Sequence, residues 1–499
     1  GLAGLFGIVL SGPSSAAPIM ILTLAIADSV HFLVTFGHEM RVNGREKREA
    51  IVESLRVNLG PIFLTSLTTA VGFLSMNFGD VPPFHDLGNI VAMGIIIAFV
   101  LSVSFLPALM AVLPVRGGSV QTANHAMEHL ADFVIAKRHG LMWGVGGMMV
   151  LLIAFLPRNE LNDVFVNYFD ESFDFRRATD FTTENLTGIY DIHYSVSAGE
   201  PDGINTPEFL QVVAEFAEWF RQQPHVIHVS TITDTFKRLN QNLHGDDPSY
   251  YRLPDRRDLA AQYLLLYEMS LPYGLDINNQ INVDKSATRV TVILETLSSN
   301  EMLVLDERAL QWLKEKGLPS MQTGQGASTA MMFAHIGSRN IRSMLFGATI
   351  ALVLISVILI VALRSLKFGL ISLIPNLAPT AMAFGLWGIL VGQVGLGLSV
   401  VAGLTIGIVV DDTIHYLSKY LYARREKGLT PQNAVRYAFQ RVGMALWITS
   451  VVLIAGFLIL SLSHFHINST MGIMVAVTIA FALIADFLFL PTLLIRLEK

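Results

Sequence analysis

The chain has 499 residues, of which 52% are hydrophobic, 15% are charged and none is cysteine. Soluble proteins carry about 25% charged residues, so the composition indicates a membrane protein. The absence of cysteine excludes disulfides, thiolate metal ligands and cysteine nucleophiles. A net charge of −6 has the wrong sign for a nucleic-acid-binding protein.

Apolar stretches near the length of about 20 residues that a membrane-spanning helix needs recur along the chain. They lie at 16–37, 61–79, 88–113, 140–156, 343–363, 368–391, 398–418, 444–463 and 470–495, and residues 1–11 look like part of another. Lys and Arg cluster in alternate connectors, which predicts that those connectors face the cytoplasm. The Arg/Glu run at 41–56 and residues 119–138 are predicted as amphipathic surface helices.

One polar block interrupts this apolar chain. Residues 158–338 carry 26 acidic and 14 basic side chains, whereas the rest of the chain carries 14 acidic and 20 basic ones. The block is therefore predicted to be a soluble domain that lies outside the cytoplasm between two membrane bundles.

Strand and helix patterns alternate within the polar block. Strands are predicted at 188–198, 225–233, 287–296 and 319–327, and helices at 205–223, 255–270 and 299–316, with 236–280 as an insertion. This order favours an α+β domain of the split βαβ type. We find no nucleotide-binding loop, no Ser-His-Asp order and no metal-ligand spacing, so we expect neither an enzyme nor a bound cofactor or metal.

The two membrane bundles are related by a constant offset of 384 residues. The matching positions are Asp28 and Asp412, His31 and His415, Gly44 and Gly428, Thr65 and Thr449, Ser66 and Ser450, Gly72-Phe73-Leu74 and Gly456-Phe457-Leu458, and Phe105-Leu106-Pro107 and Phe489-Leu490-Pro491. Internal repeats of this kind are typical of transporters, and roughly 245 residues of the first copy are expected to be missing before residue 1.

Acidic residues fall near the middle of two predicted spans. A carboxylate there costs about 2.5–3.5 kcal/mol, so Asp28 and Asp412 are functional candidates. His31 and His415 follow three residues later on the same helical faces, and Asp411 adjoins Asp412. A carboxyl beside an imidazole can carry protons. The alternative is that these residues only hold helices together by hydrogen bonds.

Small hydroxyl residues occupy the next helix of each copy. Thr65, Ser66, Thr449 and Ser450 are more simply explained by helix packing, and support of a proton relay is the minority interpretation. Asp486 breaks the repeat, because its partner is Ser102.

The motifs together resemble a known family. Gly407-Ile-Val-Val-Asp411-Asp412 resembles the Gly-x-x-x-Asp-Asp motif of Patched and the resistance–nodulation–division (RND) superfamily. Ala27-Asp28-Ser-Val-His31-Phe32, the Thr65–Phe73 segment and Phe105-Leu-Pro-Ala-Leu109 are similar to the MMPL (hydrophobe/lipid exporter) branch. The first copy lacks the Gly-x-x-x-Asp-Asp form, and the Asp partner is His where the branch often has Tyr.

The resemblance implies a polytopic α-helical membrane protein with an α+β, ferredoxin-like porter domain in the periplasm and a two-fold internal repeat. The expected organisation is a first bundle at 1–114 (end of the third span to the sixth), a cytoplasmic connector at 115–139, a seventh span at 140–156, the porter-like domain at 157–338 and a second bundle at 339–499 (eighth to twelfth spans).

The resemblance also implies a function. The expected activity is export of lipid, sterol, hopanoid or fatty-acid-type molecules from a bacterial inner membrane, driven by the proton-motive force, with protons as the coupling ion. The proton relay falls on Asp28, His31, Asp411, Asp412 and His415. Expected partners are a hydrophobic small molecule or lipid, the membrane, periplasmic proteins and further copies of the chain. The alternatives are a Patched-like sterol- or lipid-binding regulator and a multidrug efflux pump.

Overall fold

The computed structural model describes residues 1–115, 122–321 and 324–498. The chain divides into two compact units, Gly1–Leu161 with Arg339–Lys499, and Asn162–Ser338. Residues 116–121 of the predicted connector at 115–139 lie outside the described part of the chain.

The N-terminal part of the first unit contains four of the predicted spans, those at 16–37, 61–79, 88–113 and 140–156. These elements are α1 (Leu2–Leu5), α2 (Ala17–Arg41), α3 (Lys47–Leu74), α4 (Pro82–Val103), α5 (Phe105–Val112), α6 (Thr122–Ala136), α7 (Arg138–Ile153) and a short strand, β1 (Glu160–Leu161). The predicted surface helix at 41–56 is wrong, because α3 begins at Lys47 and continues without a break into the span. Its charged first turns therefore extend the membrane helix.

The second unit is a three-stranded antiparallel sheet covered by helices. Its elements are α8 (Asp174–Asn185), β2 (Tyr190–Ser197), α9 (Pro207–Arg221), β3 (Val226–Ser230), α10 (Ile232–Leu243), α11 (Arg257–Ser270), β4 (Ala287–Leu294) and α12 (Ser299–Lys316). The strand order is β2-β4-β3, with β4 in the middle. Alternate residues of β2 and β4 are buried, which gives the sheet one apolar face.

The fourth strand predicted at 319–327 does not form in the described residues. Its remnant is a single bridge between Ala327 and His193 at the β2 edge, where a split βαβ fold would carry its last strand. The Gly326 N–H instead donates a hydrogen bond of 2.9 Å to the carboxylate Oδ1 of Asp306 on α12. A backbone donor committed to a side chain cannot pair in a ladder, and residues 322–323 lie outside the described chain.

The remaining helices complete the membrane unit. They are α13 (Thr329–Leu363), α14 (Leu366–Ile371), α15 (Leu373–Leu390), β5 (Gln393–Val394), which pairs with β1, then α16 (Leu396–Arg425), α17 (Pro431–Ala438), α18 (Met444–Leu460), α19 (His466–Ile484) and α20 (Leu490–Leu497). In the described residues, nine helical segments are long and apolar enough to cross a membrane. Each of the nine predicted stretches falls on one of them.

The sequence repeat reappears as a structural repeat. The turns that follow α2 and α16 each hold a glycine at φ 63°, Gly44 and Gly428, a backbone conformation that favours glycine. The final helix of each copy is interrupted at the same place, by a break at Ser104 in the first copy and by a π-helical turn over Ala485–Phe489 in the second. The two bundles therefore share local geometry as well as sequence.

The two copies interlock. Helix α3 of the first copy packs on α16 of the second, and α18 of the second packs on α2 of the first. At matching points, a Cβ on Gly72 would lie 2.9 Å from the Cα of Gly407, and one on Gly456 would lie 2.5 Å from Thr23 Oγ1. Positions 23 and 407 are themselves repeat partners. The close approach is therefore made twice, once at each crossing.

Loss of the Asp306 carboxylate should destabilise the second unit. Asp306 is buried and accepts from both Tyr194 Oη and Gly326 N at 2.9 Å, and burial beside Asp306 raises the pKa of Tyr194. We expect Asp306→Ala to leave both donors unpaired at a cost of about 1–3 kcal/mol each. The full-length protein should show a lower thermal unfolding midpoint, whereas its exposed neighbour Glu307→Ala should not. Equal midpoints for the two variants would contradict this role.

Candidate functional site

Two carboxyl groups lie in equivalent positions of the interlocked helices. Asp28 on α2 accepts a hydrogen bond from Ser66 of α3 at 3.2 Å, and Asp412 on α16 accepts one from Ser450 of α18 at 2.9 Å. Both aspartates are buried, with 7% and 6% of their surface exposed. The two serines therefore act as hydrogen-bond donors to the carboxyls as well as packing residues.

The two histidines meet each other across the repeat. The rings of His31 and His415 stack with centroids 3.6 Å apart and planes 3° from parallel, and both side chains are fully buried. This contact joins α2 of the first copy directly to α16 of the second. A buried chain of polar groups therefore runs from one copy into the other.

The predicted pairing of each aspartate with the histidine three residues on is wrong. Each of these aspartates is hydrogen-bonded by a serine of the next helix. The carboxylate that lies within 4 Å of His415 is Asp411, four residues earlier, whose Oδ1 is 3.4 Å from His415 Nε2. The first copy holds Ala27 at the position equivalent to Asp411, so His31 has no such neighbour on its own helix.

Asp411 and Asp412 have different surroundings although they are adjacent in sequence. Asp412 accepts from Ser450, whereas Asp411 lies beside His415. One oxygen of each carboxyl, Nε2 of His31 and both ring nitrogens of His415 have no hydrogen-bond partner among the described residues. Buried polar atoms usually have partners, so this cluster is the candidate functional site.

The two threonines beside the serines bond within their own helices. Thr65 donates to the Ile62 carbonyl and Thr449 to the Leu446 carbonyl, each at 3.0 Å. Both are buried, and Thr65 also faces Asp411 while Thr449 faces Asp412. Both threonines therefore lie beside the buried carboxyls, and their part in a relay stays a prediction.

A metal ion is the other ligand to be weighed at this cluster. His31, Asp411 and His415 each offer a ligand atom, and these atoms lie within 4.8 Å of one another. An imidazole nitrogen binds a metal in the plane of its ring, and two parallel rings 3.6 Å apart cannot both contain the same ion. The arrangement as it stands does not fit one metal ion held by both histidines.

A polar cavity lies beyond the histidines at one end of the bundle. This cavity, the basic vestibule, has a volume of about 440 Å³ and is lined by Thr35, His38, Glu39, Asn43, Arg45, Glu53, Arg56, Val57, Pro61, Ser418, Lys419, Tyr422, Lys427, Tyr437 and Arg441. Glu39 is buried and pairs with Arg45 at 3.1 Å and with Arg441 at 3.3 Å. Five cationic side chains against two carboxylates give the vestibule a positive lining.

Lys419 is the residue of the vestibule that sequence reasoning missed. It lies one helical turn beyond His415, is 9% exposed and donates to the Val57 carbonyl at 3.2 Å. Its repeat partner is Thr35, which lies one turn beyond His31 and also lines the cavity. The apolar stretch predicted at 398–418 ends one residue before Lys419, so the sequence pattern places Lys419 in a connector. The repeat offers a signal to the contrary, because its partner Thr35 lies inside the predicted span 16–37.

The fold and the duplicated buried site define the class: a multi-pass membrane protein built from two related helical bundles. The water bear (Hypsibius dujardini) hedgehog release protein Disp matches with a TM-score of 0.62 and 15% identity over 96% of this chain. SecDF of Thermus thermophilus, a translocon-associated membrane protein, matches with a TM-score of 0.57 and 13% identity over 99% of it. The chain spans 63% and 56% of those two proteins.

The chain belongs to the MMPL family, whose model matches residues 2–150 and 283–497. A membrane protein of Methanocaldococcus jannaschii is 27% identical over 154 residues, which are 31% of this chain and 39% of the relative. The family expected from the motifs is thus confirmed.

The close contact at Gly72 should be needed to hold the site together. A Cβ at this position would lie 2.9 Å from the Gly407 backbone, so Gly72→Ala must push α3 away from α16. Overpacking of this kind costs about 1–3 kcal/mol. We expect a lower unfolding midpoint in detergent, measured on the purified protein.

Gly37 on α2 provides the matched control, because a Cβ there would meet nothing within 4 Å. Gly37→Ala should leave the midpoint unchanged or raise it, since Ala favours a helix over Gly by about 1 kcal/mol. If Gly72→Ala unfolds at the same temperature as Gly37→Ala, the contact does not constrain the helices.

Proposed function

We propose that the protein moves hydrophobic, lipid-like molecules out of a bacterial inner membrane and draws energy from the proton-motive force. The single observation that carries the proposal is the pair of buried Asp–Ser contacts, one in each copy, with the His31–His415 stack between the two copies. Burying a carboxyl in a membrane costs free energy, and residues of this kind are usually retained because they have a function. Two of them at equivalent positions suit a device that binds and releases protons.

The chemistry of the site supports a proton as the coupling ion. A carboxyl that exchanges one proton changes its charge inside an apolar bundle, and this change alters the free energy of any arrangement of the surrounding helices. Because α3 packs on α16 and α18 packs on α2, a shift at either aspartate is transmitted to the opposite copy. Proton binding would in this way be coupled to motion between the two copies.

The basic vestibule is the route that we propose between this site and the cytoplasm. Its lining includes Arg45, Arg56, Lys427 and Arg441, which lie in the basic segments that follow α2 and α16, and the positive-inside rule assigns such segments to the cytoplasmic side. With this orientation the unit at 162–338 faces the periplasm. The lipid-like substrate follows from the family, some of whose members move lipids, sterols and fatty-acid conjugates.

The proposal is tested by reconstituting the protein in liposomes with an imposed pH gradient. The probe is a fluorescent phospholipid, and the measurement is the rate at which albumin outside the liposomes extracts it. We expect the gradient to accelerate extraction. Asp28→Asn and Asp412→Asn should each reduce this rate to that of protein-free liposomes, because an amide cannot carry a proton.

Asp132→Asn is the matched control, since Asp132 is an exposed residue that pairs with Arg436 and exposed pairs contribute little. It should transport at the wild-type rate. Wild-type rates in both Asp28→Asn and Asp412→Asn would refute the relay. A protein that binds the probe but is indifferent to the gradient would instead be a lipid-binding regulator.

Lys419 should restrain protons that enter from the vestibule. Its ammonium group stands one turn from His415 and repels a proton that approaches the stack. We expect Lys419→Thr, which places the first-copy residue in the second copy, to leak protons faster in the absence of substrate. The leak is measured with a pH-sensitive dye inside liposomes. Lys419→Arg should stay as tight as the wild type, and an equally tight Lys419→Thr would contradict this role.

A further inference from the structure

A third carboxyl, outside the relay described above, lies in the last span. Asp486 is 1% exposed and sits in the π-helical turn Ala485–Phe489, between α19 and α20. Thr413 of α16 donates to its Oδ1 at 3.0 Å, and its Oδ2 has no hydrogen-bond partner among the described residues. π-Helical turns within longer helices are frequent at functional sites.

The surroundings of Asp486 favour the protonated carboxyl. Its neighbour Ala485 packs in an apolar cluster with Met149 of α7 and Met382 of α15, and the rings of Phe487 and Phe439 pack at a tilt with centroids 5.5 Å apart. No Lys, Arg or His lies within 4 Å of the Asp486 carboxyl in the described part of the chain. A buried carboxylate without a cation is strongly destabilised, so the group holds a proton in this conformation.

The titratable groups that face Asp486 come from α16. They are Asp411, Asp412 and Tyr416. Helix α15 has no titratable side chain. The other helices packed on this turn carry theirs near their ends: Arg138 and His139 on α7, His466 on α19 and Arg496 on α20. Two further acids and a phenol are thus the groups with which Asp486 interacts.

The repeat shows that this carboxyl is peculiar to the second copy. Asp486 corresponds to Ser102, and its donor Thr413 corresponds to Ser29. The first copy therefore has two hydroxyl residues where the second has a hydroxyl and a carboxyl. In the first copy Ser29 donates to the Ala25 carbonyl of its own helix at 2.8 Å, whereas in the second Thr413 donates across helices to Asp486.

We propose that Asp486 binds and releases one proton in each transport cycle, so that the second copy carries a proton that the first does not. This inference rests on the proposed function. When Asp412 has lost its proton towards the vestibule, the O–H bond at Asp486 breaks and one at Asp412 forms. The negative charge moves from Asp412 to Asp486, and the total charge of the buried bundle is unchanged. Asp486 then regains a proton from the opposite side.

The experiment compares three substitutions of Asp486 in the liposome assay with the fluorescent phospholipid. Asp486→Asn keeps the shape and an oxygen that can accept from Thr413, but carries no exchangeable acid proton. Asp486→Ser places the first-copy residue in the second. We expect both to lose gradient-driven extraction while their unfolding midpoints stay at the wild-type value. Asp486→Glu should transport, with its rate–pH profile shifted relative to the wild type.

The outcomes separate this inference from the proposed function. If Asp28→Asn and Asp412→Asn abolish transport but Asp486→Asn or Asp486→Ser transports normally, Asp486 has only a structural role and the inference is overturned. If Asp486→Asn fails to fold, the Glu variant decides, because an unshifted pH profile would also overturn it. If neither Asp28→Asn nor Asp412→Asn affects transport, the proposed function fails, and this inference fails with it.

Discussion

The close crossing of helices from the two copies is the constraint on which the rest of the membrane unit depends. At Gly72 and Gly407 the backbones of α3 and α16 approach so closely that neither position has room for a Cβ. The equivalent crossing of α18 on α2 is made at Gly456 and Thr23. Without hydrophobic driving force between helices in lipid, such small-residue contacts are what allows them to pack.

The buried polar groups lie on the same four helices that make these crossings. Within each copy a serine of one helix donates to an aspartate of the neighbouring helix, and the two aspartate helices meet across the copies through the His31–His415 stack. Polar groups in the interior would oppose packing if they had no partners. The bundle satisfies part of this requirement through the two Ser–Asp hydrogen bonds and leaves several polar atoms of the same cluster without partners among the described residues.

The two copies are alike in backbone and unlike in charge. Three ionisable residues of the second copy correspond to uncharged residues of the first: Asp411 to Ala27, Lys419 to Thr35 and Asp486 to Ser102. All three differences lie on or beside α16, the most thoroughly buried of the candidate spans. The duplication therefore provides the frame, and the second copy carries most of the ionisable groups of the cluster.

Local patterns were predictable from sequence and contacts between distant helices were not. Helix α12 and strand β4 lie where their periodicity placed them, since each pattern depends on the burial of one face. The strand at 319–327 failed because Gly326 bonds to Asp306, a partner that no periodicity reveals. Likewise the repeat identified the positions of Asp28 and Asp412, whereas the His31–His415 stack depends on which helices cross.

The central claim is that the two aspartates belong to one relay, and a double-mutant cycle on Ser66 and Ser450 tests it most directly. Ser66→Ala and Ser450→Ala weaken each carboxyl's environment without removing the acid, so each single variant retains measurable gradient-driven phospholipid extraction. If the carboxyls act in one path, the double variant should be no slower than the slower single variant. Rate losses that simply multiply would show two independent proton carriers and contradict the account.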